Sequence, residues 1–237
     1  MKARGGTYNY HSGHRSRVRQ RYRTQGIEGF ADHELLELLL YYCYPRCDTN
    51  EIAHRMIKEF GSFHNLLEAD VETLMSVLNC SENIAIFLNM LPMVANRYRV
   101  SRWGKKIILD SLNRAANYAC DLLIGYAVER FYLLCLDTNF KLINAAFVAE
   151  GSINAVPTPE RRVAEIAARN HSVNVIMVHN HPGGTQRPSP SDRIFTGKAQ
   201  NALGALGMYL TDHIIVAGDN YYSFSINEGN KAVRGYI

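Results

Sequence analysis

Cysteine is scarce in this chain and irregularly spaced, with 5 among 237 residues. An odd count without regular spacing does not fit a disulfide framework, and no secretory signal opens the sequence. No uninterrupted apolar run approaches the length that spans a membrane, because Glu37 breaks the longest candidate. We therefore expect a protein of the reducing cytoplasm, with no membrane as partner.

A strong overall charge of one sign is also lacking, since the formal net charge is only +4. The net charge therefore gives little support to the binding of nucleic acid. The charge is nevertheless unevenly distributed along the chain. Residues 1–30 form a basic N-terminal arm in which tyrosines lie among the arginines. Its basic residues are Lys2, Arg4, Arg15, Arg17, Arg19, Arg21 and Arg23, opposed only by Glu28. This mixture suits phosphate contact and base stacking, so DNA is a candidate partner, although an arm that is merely solvated fits as well.

Composition shifts divide the rest of the chain into a helical region and a mixed region. We expect short helices over 31–100, a linker at 101–109 and a second domain over 110–237. The predicted order in that domain is helix, two strands, helix, strand, helix and two strands. Their positions are 111–124, 131–136, 142–148, 159–169, 173–178, 193–206, 213–217 and 221–226. Hairpins interleaved with helices predict a mixed sheet flanked by helices, so the fold class is α+β.

The most informative motif is His179-Asn180-His181, which follows the apolar, β-branched run VNVIMV. Alternate side chains of a strand share a face, so both imidazoles should point one way and Asn180 the opposite way. Asp192 follows a short loop further along the chain. Two histidines and a carboxylate leave a fourth tetrahedral position open, which is typical of catalytic zinc. The sequence therefore predicts a Zn²⁺ site on His179, His181 and Asp192.

The segment that contains Asp192 also fits the start of a helix. Ser189 would be the N-cap, Pro190 the first helical residue and Asp192 the N3 residue. If the Asp192 carboxylate folds back onto the N-cap amide, we expect that it is not a ligand. The two histidines alone could also be polar tips at the end of a strand. The histidine pair and the Ser189–Asp192 segment occur together in one loop, after an apolar strand and before a helix. This combination favours a metal site.

The pattern His179-x-His181-Pro182 with Ser189 and Asp192 resembles the JAMM motif of the JAB/MPN metallohydrolases, which include isopeptidases acting on ubiquitin-like conjugates. The letters HNHPGG, PS and D, followed by LTDHIIV, are similar to those of the bacterial RadC-like family, whose name is tied to DNA repair. The resemblance implies a JAB/MPN-like fold in the C-terminal domain. It also implies that the two histidines and Asp192 bind zinc and that Ser189 stabilises the oxyanion of a tetrahedral intermediate.

The same resemblance implies a glutamate as general base just before the first central strand. Glu129 precedes the strand predicted at 131–136 and is our first choice. Glu150, at the end of the next apolar strand, is the main competitor. Each could instead be an ordinary solvated residue at the end of an element.

The N-terminal region carries a second resemblance. The letters DHELLELL and YPRCDTN are similar to the N-terminal segment of RadC-like proteins, in which the region resembles a helix-hairpin-helix module. Such a module presents the backbone amides of a glycine hairpin to phosphate. The hairpin would fall at 78–81, where the letters are LNCS and both glycines are missing. The sequence therefore favours a packing or partner-binding bundle in this region.

Together these interpretations predict a zinc-dependent metallohydrolase of the JAMM type. Water activated by zinc would attack an amide or isopeptide carbonyl, while Glu129 shuttles the proton and Ser189 holds the oxyanion. The alternative is a non-catalytic, zinc-containing protein that associates with DNA or with a partner. The substrate would be a peptide or isopeptide of unknown identity, and the sequence indicates no oligomeric state. A zinc deaminase is excluded because no cysteine follows Cys135.

Overall fold

Most of the described chain before the first strand is helical. The computed structural model describes residues 13–151, 158–228 and 236. The chain divides into two compact units, Met1–Leu91 and Pro92–Ile237. The helices are α1 (His14–Gln25), α2 (Asp32–Leu40), α3 (Asn50–Phe60), α4 (Phe63–Glu68), α5 (Val71–Leu78), α6 (Glu82–Ser101) and α7 (Leu112–Leu123). None of the described helices is both long and apolar enough to cross a membrane.

The core of the first unit lies between α2, α3, α4, α5 and the first turns of α6, whose apolar residues recur at helical spacing. Its members are fully or almost fully buried: Leu36, Leu40, Ala53, Met56, Leu66, Leu74, Leu78, Ile84, Ala85 and Leu88. Asn79 ends α5 in the left-handed conformation, with φ 48° and ψ 45°. Asparagine tolerates this conformation better than most residues, so the chain makes the turn between α5 and α6 without the missing glycine.

The basic arm is partly helical. Residues 1–12 lie outside the described residues, and 14–25 form α1. This helix contacts α2 through an ion pair between Arg21 and Glu34 at 2.8 Å and a contact of His14 with the buried Glu37 at 2.8 Å. The guanidinium of Arg15 donates to the carbonyls of the loop after α2 and lies over the Tyr41 ring. Part of the arm's charge is therefore used within the first unit.

The second unit contains a mixed sheet of five strands with the order β2-β1-β3-β4-β5. The strands are β1 (Arg130–Leu136), β2 (Leu142–Glu150), β3 (Asn174–Asn180), β4 (Tyr209–Ala217) and β5 (Asn220–Ser223). The remaining helices are α8 (Pro159–Arg169), α9 (Pro190–Gly204) and α10 (Phe224–Asn227). Strands β3 and β4 pair in parallel and the other neighbours pair antiparallel. The predicted α+β fold with a mixed sheet flanked by helices is confirmed.

The two faces of the sheet pack against different helices. Val175 and Met177 of β3 lie in the same cluster as residues of α8 and α9, whereas Ile176 and Val178 lie in the same cluster as residues of α7. This alternation is the two-residue period of a strand with both faces buried. His179 continues the first face of β3, and Asn180 continues the second.

The division between the units falls inside α6, between Leu91 and Pro92, whereas composition placed a linker at 101–109. The last turns of α6 belong to the second unit because Asn96 donates to three carbonyls at the C-terminal end of α7, those of Asp121, Leu122 and Ile124. The short segment before α7 is also tied to the sheet, since Leu109 is fully buried and its amide donates to the carbonyl of Phe140. The assignment of functions to the separate regions stays a prediction.

One predicted strand is wrong in its second half. The strand predicted at 221–226 ends at Ser223, and α10 begins at Phe224. The cause is the buried carboxylate of Asp212, which accepts hydrogen bonds from the Ser225 amide at 3.0 Å and from the Ser223 hydroxyl at 2.6 Å. These bonds turn the chain away from an extended path.

Candidate metal centre

The two histidines of the motif meet at the end of β3. His179 pairs with Phe131 of β1 and with Ile215 of β4, so its backbone is held from both sides. The amide of His181 donates to the Val216 carbonyl at 2.8 Å, which continues the ladder one residue beyond the strand. The Nε2 atoms of the two rings are 2.9 Å apart. The prediction that both imidazoles point to one side is confirmed.

A chain of hydrogen bonds behind His179 assigns the proton on its ring. Thr196 has one hydroxyl proton, which it donates to the Asp192 carbonyl at 2.6 Å, so it accepts from His213 Nδ1 at 2.7 Å. Burial lowers the pKa of His213 well below its usual value, so this ring is neutral and its Nε2 accepts. That Nε2 lies 2.9 Å from His179 Nδ1, which must donate. The Nε2 atom of His179 is therefore left with a free lone pair.

His181 reaches the same state by a separate contact. Its Nδ1 lies 2.8 Å from the carbonyl oxygen of Thr185, which can only accept. In the neutral ring, Nδ1 carries the proton and Nε2 carries the lone pair. Burial also lowers the pKa of His179 to about 4, so that ring is neutral near pH 7. When both rings are neutral, their Nε2 atoms converge as two lone pairs.

The carboxylate of Asp192 lies beside both rings and also caps its own helix. Its Oδ1 is 3.6 Å from His179 Nε2, and its Oδ2 is 3.7 Å from His181 Nε2. Oδ2 also accepts from the Ser189 amide at 2.7 Å, as in a capping box. The sequence presented the cap and the ligand as alternatives, yet in the structure one carboxylate faces both partners. The role of Asp192 as a ligand stays a prediction.

Ser189 is the N-cap of α9, and its hydroxyl is engaged with Asp192. The hydroxyl donates to Asp192 Oδ2 at 2.7 Å and accepts from the Asp192 amide at 3.2 Å. Its single proton is therefore directed at the carboxylate. To serve an oxyanion, as the resemblance implies, the hydroxyl would have to leave Asp192.

Glu129 lies directly before β1 and reaches the histidines from the neighbouring strand. Its carboxylate and the ring nitrogens of His179 and His181 all lie within 4.8 Å of one another. Burial raises the pKa of Glu129, the nearby His181 opposes this shift, and the charge of Asp192 adds to it. Glu150 is exposed and pairs with Arg130 instead. The geometry therefore places Glu129 at the histidines and Glu150 in a surface ion pair, although the general base itself stays a prediction.

These groups fit a divalent metal ion. Zinc binds imidazole nitrogen at about 2.0–2.1 Å, which puts two tetrahedral ligand atoms about 3.3 Å apart. The spacings of 2.9, 3.6 and 3.7 Å among His179, His181 and Asp192 lie around that value. Each of these atoms is an acceptor, so only a cation or a proton can stabilise their approach. Together with Glu129, the two histidines form a possible metal-binding site, and Asp192 lies beside them.

Aromatic rings surround the buried side of the site. The Phe131 ring lies 6.0 Å from that of His179, and Phe224 stacks on His213 at 4.9 Å with an interplanar angle of 15°. Phe195 packs edge-on against Phe131 at 5.4 Å. These apolar neighbours remove water from the histidine pair and hold the rings in place.

Sequence reasoning found some of the supporting residues and missed others. It named Asp212 and His213 as a candidate pair that orients a ligand. His213 does contact His179, but Asp212 binds the serines of the β5–α10 turn instead. Thr196 was missed, although its position one helical turn after Asp192 places both on one face of α9.

Comparison with known proteins agrees with this geometry. A family model described as the RadC-like JAB domain matches residues 109–230, about half of the chain and all of the candidate site. The chain belongs to the RadC-like JAB family.

Relatives of this family match nearly the whole chain. A UPF0758 protein of Ruegeria pomeroyi is 33% identical over 216 residues, which is 91% of this chain and 96% of the relative. A UPF0758 protein of Fusobacterium nucleatum is 30% identical over 226 residues, 92% and 96% of the two chains. One from Rhodobacter capsulatus is 33% identical over 207 residues, 87% and 97%. The RadC-like resemblance is therefore confirmed, and the helical N-terminal unit is part of what these proteins share.

Proposed function

We propose that this RadC-like JAB protein is a zinc-dependent hydrolase that cleaves an amide or isopeptide bond. The observation that carries the proposal is the convergence of two imidazole Nε2 atoms with the carboxylates of Asp192 and Glu129. A site of acceptors alone suits a cation, and two histidines with one carboxylate suit zinc.

The four groups divide into ligands and a base. His179, His181 and Asp192 would hold the ion, and Glu129 stands beside them without a place in the capping network. When bound, zinc would polarise the substrate carbonyl and make water easier to deprotonate. A site with three protein ligands leaves the fourth position for water or substrate.

Glu129 would move the proton. Its carboxylate accepts a proton from the attacking water and passes it to the nitrogen of the leaving amine. The raised pKa of Glu129 suits this exchange because it brings the carboxyl closer to neutral pH. Ser189 would assist by orienting Asp192, or by turning its hydroxyl toward the oxyanion when the substrate is bound.

Replacing the base tests the proposal. The zinc-loaded full chain is assayed against peptide and lysine-isopeptide libraries, with Glu129→Gln as the test and Glu150→Gln as the matched control. We expect Glu129→Gln to bind zinc as before and to lose kcat by about 10²-fold or more, while Glu150→Gln hydrolyses normally. Unchanged turnover in Glu129→Gln would remove Glu129 from the mechanism. Bound zinc without hydrolysis of any library would favour the non-catalytic alternative.

The cysteines support the proposed compartment. All five are free: Cys43, Cys47, Cys80, Cys120 and Cys135. Free thiols persist in a reducing environment, so we propose that the protein works in the cytoplasm.

DNA is a second candidate partner, favoured by the exposed arginines of α1. Arg15 and Arg21 are used in contacts within the first unit, and Arg19 lies 5.5 Å from the Tyr41 ring centroid. The side chains of Arg17, Arg19 and Arg23 are nevertheless exposed. Exposed arginines along one helix can track a phosphate backbone. The proposal is that these three side chains bind DNA non-specifically.

A DNA titration at two salt concentrations tests this proposal. Replacing Arg17, Arg19 and Arg23 by alanine should weaken binding and reduce the slope of log K against log salt by about 2–3. The matched control replaces three exposed arginines of α8, Arg161, Arg162 and Arg169, which changes the net charge equally. If the two triple variants weaken DNA binding equally, the binding depends on net charge alone and not on α1. If neither variant changes DNA binding, the proposal is wrong.

A further inference from the structure

Asn180, the residue between the two histidines, makes a set of contacts on the opposite face of the sheet. Its Oδ1 accepts from the Arg130 amide at 2.7 Å. Its Nδ2 donates to the carbonyls of Tyr126 and Val128, at 3.0 and 3.1 Å. The side chain is only 5% exposed, and both of its amide protons are used.

All three partners belong to the segment 126–130, which connects α7 to β1 and carries Glu129. Two of the bonds involve the residues on either side of Glu129, the carbonyl of Val128 and the amide of Arg130. The carbonyl of Glu129 itself accepts from the Gly151 amide at 2.8 Å. The backbone around Glu129 is therefore fixed from both directions, although it lies outside any strand.

The alternation of side chains along β3 connects the contacts of Asn180 with the candidate metal centre. Because successive side chains of β3 point to opposite faces, one tripeptide sends two imidazoles to the site and an amide to the segment behind it. The position of Glu129 relative to the histidine rings is thus set by residues adjacent in sequence to those rings. A shift of the segment by about 1 Å would take the carboxylate out of reach of the reacting groups.

We propose that Asn180 is a positioning residue that holds Glu129 at the histidine pair. Its importance for hydrolysis rests on the proposed function, whereas its effect on the position of Glu129 does not. Buried asparagines that only stabilise a strand would act on the whole unit, so the test needs signals specific to this segment.

Asn174 provides the matched control. It lies on the same strand and the same face, is equally buried, and donates from Nδ2 to the Asp137 carbonyl at 3.0 Å. Its contact fastens a loop at the opposite end of β3. Asn174→Ala therefore removes a similar buried contact without touching the segment at 126–130.

The experiment compares the full chain with Asn180→Ala and Asn174→Ala by NMR, before and after addition of Zn²⁺. We expect the Arg130 amide to exchange at least tenfold faster in Asn180→Ala and at the unchanged rate in Asn174→Ala. The ¹³C carboxyl resonance of Glu129, assigned with Glu129→Gln, should shift on zinc addition in the wild type and in Asn174→Ala but not in Asn180→Ala. Zinc affinity should stay within about threefold of the wild type in both, because the ladder bonds of β3 hold the histidines.

A double-mutant cycle adds the catalytic consequence. Asn180→Ala should lower kcat tenfold or more, and should have little further effect when Glu129→Gln is already present, because both changes remove the same group. Additive losses, or normal kcat in Asn180→Ala, would overturn the proposal.

The outcomes separate this inference from the proposed function. If Arg130 exchange and the Glu129 resonance are unchanged in Asn180→Ala, Asn180 does not position Glu129, whatever the hydrolysis. If the wild type binds no zinc or hydrolyses nothing, the proposed function fails, and the exchange rate of the Arg130 amide alone decides the inference. If Asn180→Ala does not fold, Asn180→Ser, whose side chain is too short to bridge the segment, makes the same comparison.

Discussion

The proton on each histidine decides what the candidate site can bind. The Nδ1 atoms of His179 and His181 are both directed at acceptors, so each neutral ring carries its lone pair on Nε2. This state depends on two other side chains, His213 and Thr196, which together fix the His179 tautomer. Residues that touch no metal therefore prepare the ligands for it.

Removing the Thr196 hydroxyl should weaken zinc binding. Thr196→Val keeps the shape of the side chain but leaves His213 Nδ1 without an acceptor, so His179 can carry its proton on Nε2 instead. We expect a loss of zinc affinity of about tenfold, measured by competition with a chelator. Thr196→Ser retains the hydroxyl and should bind zinc like the wild type. Equal affinities of the valine and serine variants would contradict the assigned tautomer.

The candidate ligands could be predicted from the sequence because they lie within one motif. The spacing of His179 and His181 on a strand requires only the two-residue period, and Asp192 follows after a short loop. The roles of Asn180 and His213 could not be derived in this way, since each depends on a neighbour in another strand or loop. The sequence also could not decide whether Asp192 is a cap alone or a ligand as well, because a carboxylate has two oxygens with several acceptor positions.

At the scale of the elements, several predicted boundaries differ from those in the structure. Helix α9 was predicted from 193 and begins at Pro190, as its Ser189 cap allows. Strand β4 was predicted from 213 and begins at Tyr209, because its pairing with β3 starts there. The strand predicted to continue to 226 ends at Ser223, where Asp212 binds the turn. Buried partners of this kind are not visible in local patterns.

Helix α1 provides a prediction about stability. Arg15 donates to the carbonyls of Tyr44, Pro45 and Cys47 and lies 4.6 Å from the Tyr41 ring centroid. Arg15→Ala should therefore destabilise the helical unit by about 1–3 kcal/mol, seen as faster amide exchange in α1 and α2.

The matched control for this change is Arg17→Ala, on the exposed face of the same helix. An exposed substitution of this kind should change the free energy of unfolding by no more than about 0.5 kcal/mol. Equal effects of the two substitutions would show that the contacts of Arg15 do not stabilise the unit.

At the scale of the whole molecule, the chain separates into a helical unit and a unit that contains the sheet and the site. The family model begins at residue 109, and the curated relatives extend the likeness across the helical unit. The α+β class could be predicted from the alternation of hairpins and helices. The division inside α6 could not, since it depends on tertiary contacts of Asn96 rather than on composition.

Stability of the metal-free sheet unit should fall in mild acid. The pKa of His179 is about 4 in the folded chain and about 6.5 in the unfolded chain, and His213 is lowered in the same direction. Between these values the unfolded state binds more protons, so the free energy of unfolding decreases as the pH falls from 6.5 toward 4. His179 alone corresponds to on the order of 3 kcal/mol across that window.

Urea unfolding followed by Trp103 fluorescence at pH 7.5, 6.0 and 5.0 measures this effect. We expect the midpoint to fall steadily between pH 6.5 and 5.0, and to fall less in His179→Gln, which has no titrating ring. A midpoint that is constant down to pH 5.0 would mean that the buried rings do not resist protonation.

The most direct measurement is the zinc stoichiometry and affinity of the purified full chain, compared with His179→Ala, His181→Ala and Asp192→Ala. The converging acceptors predict one zinc ion per chain in the wild type and an affinity at least about 10²-fold weaker in each histidine variant, with a clear loss in Asp192→Ala. Zinc binding that is absent from the wild type, or that survives unchanged in His179→Ala, would contradict the existence of a metal centre at this position.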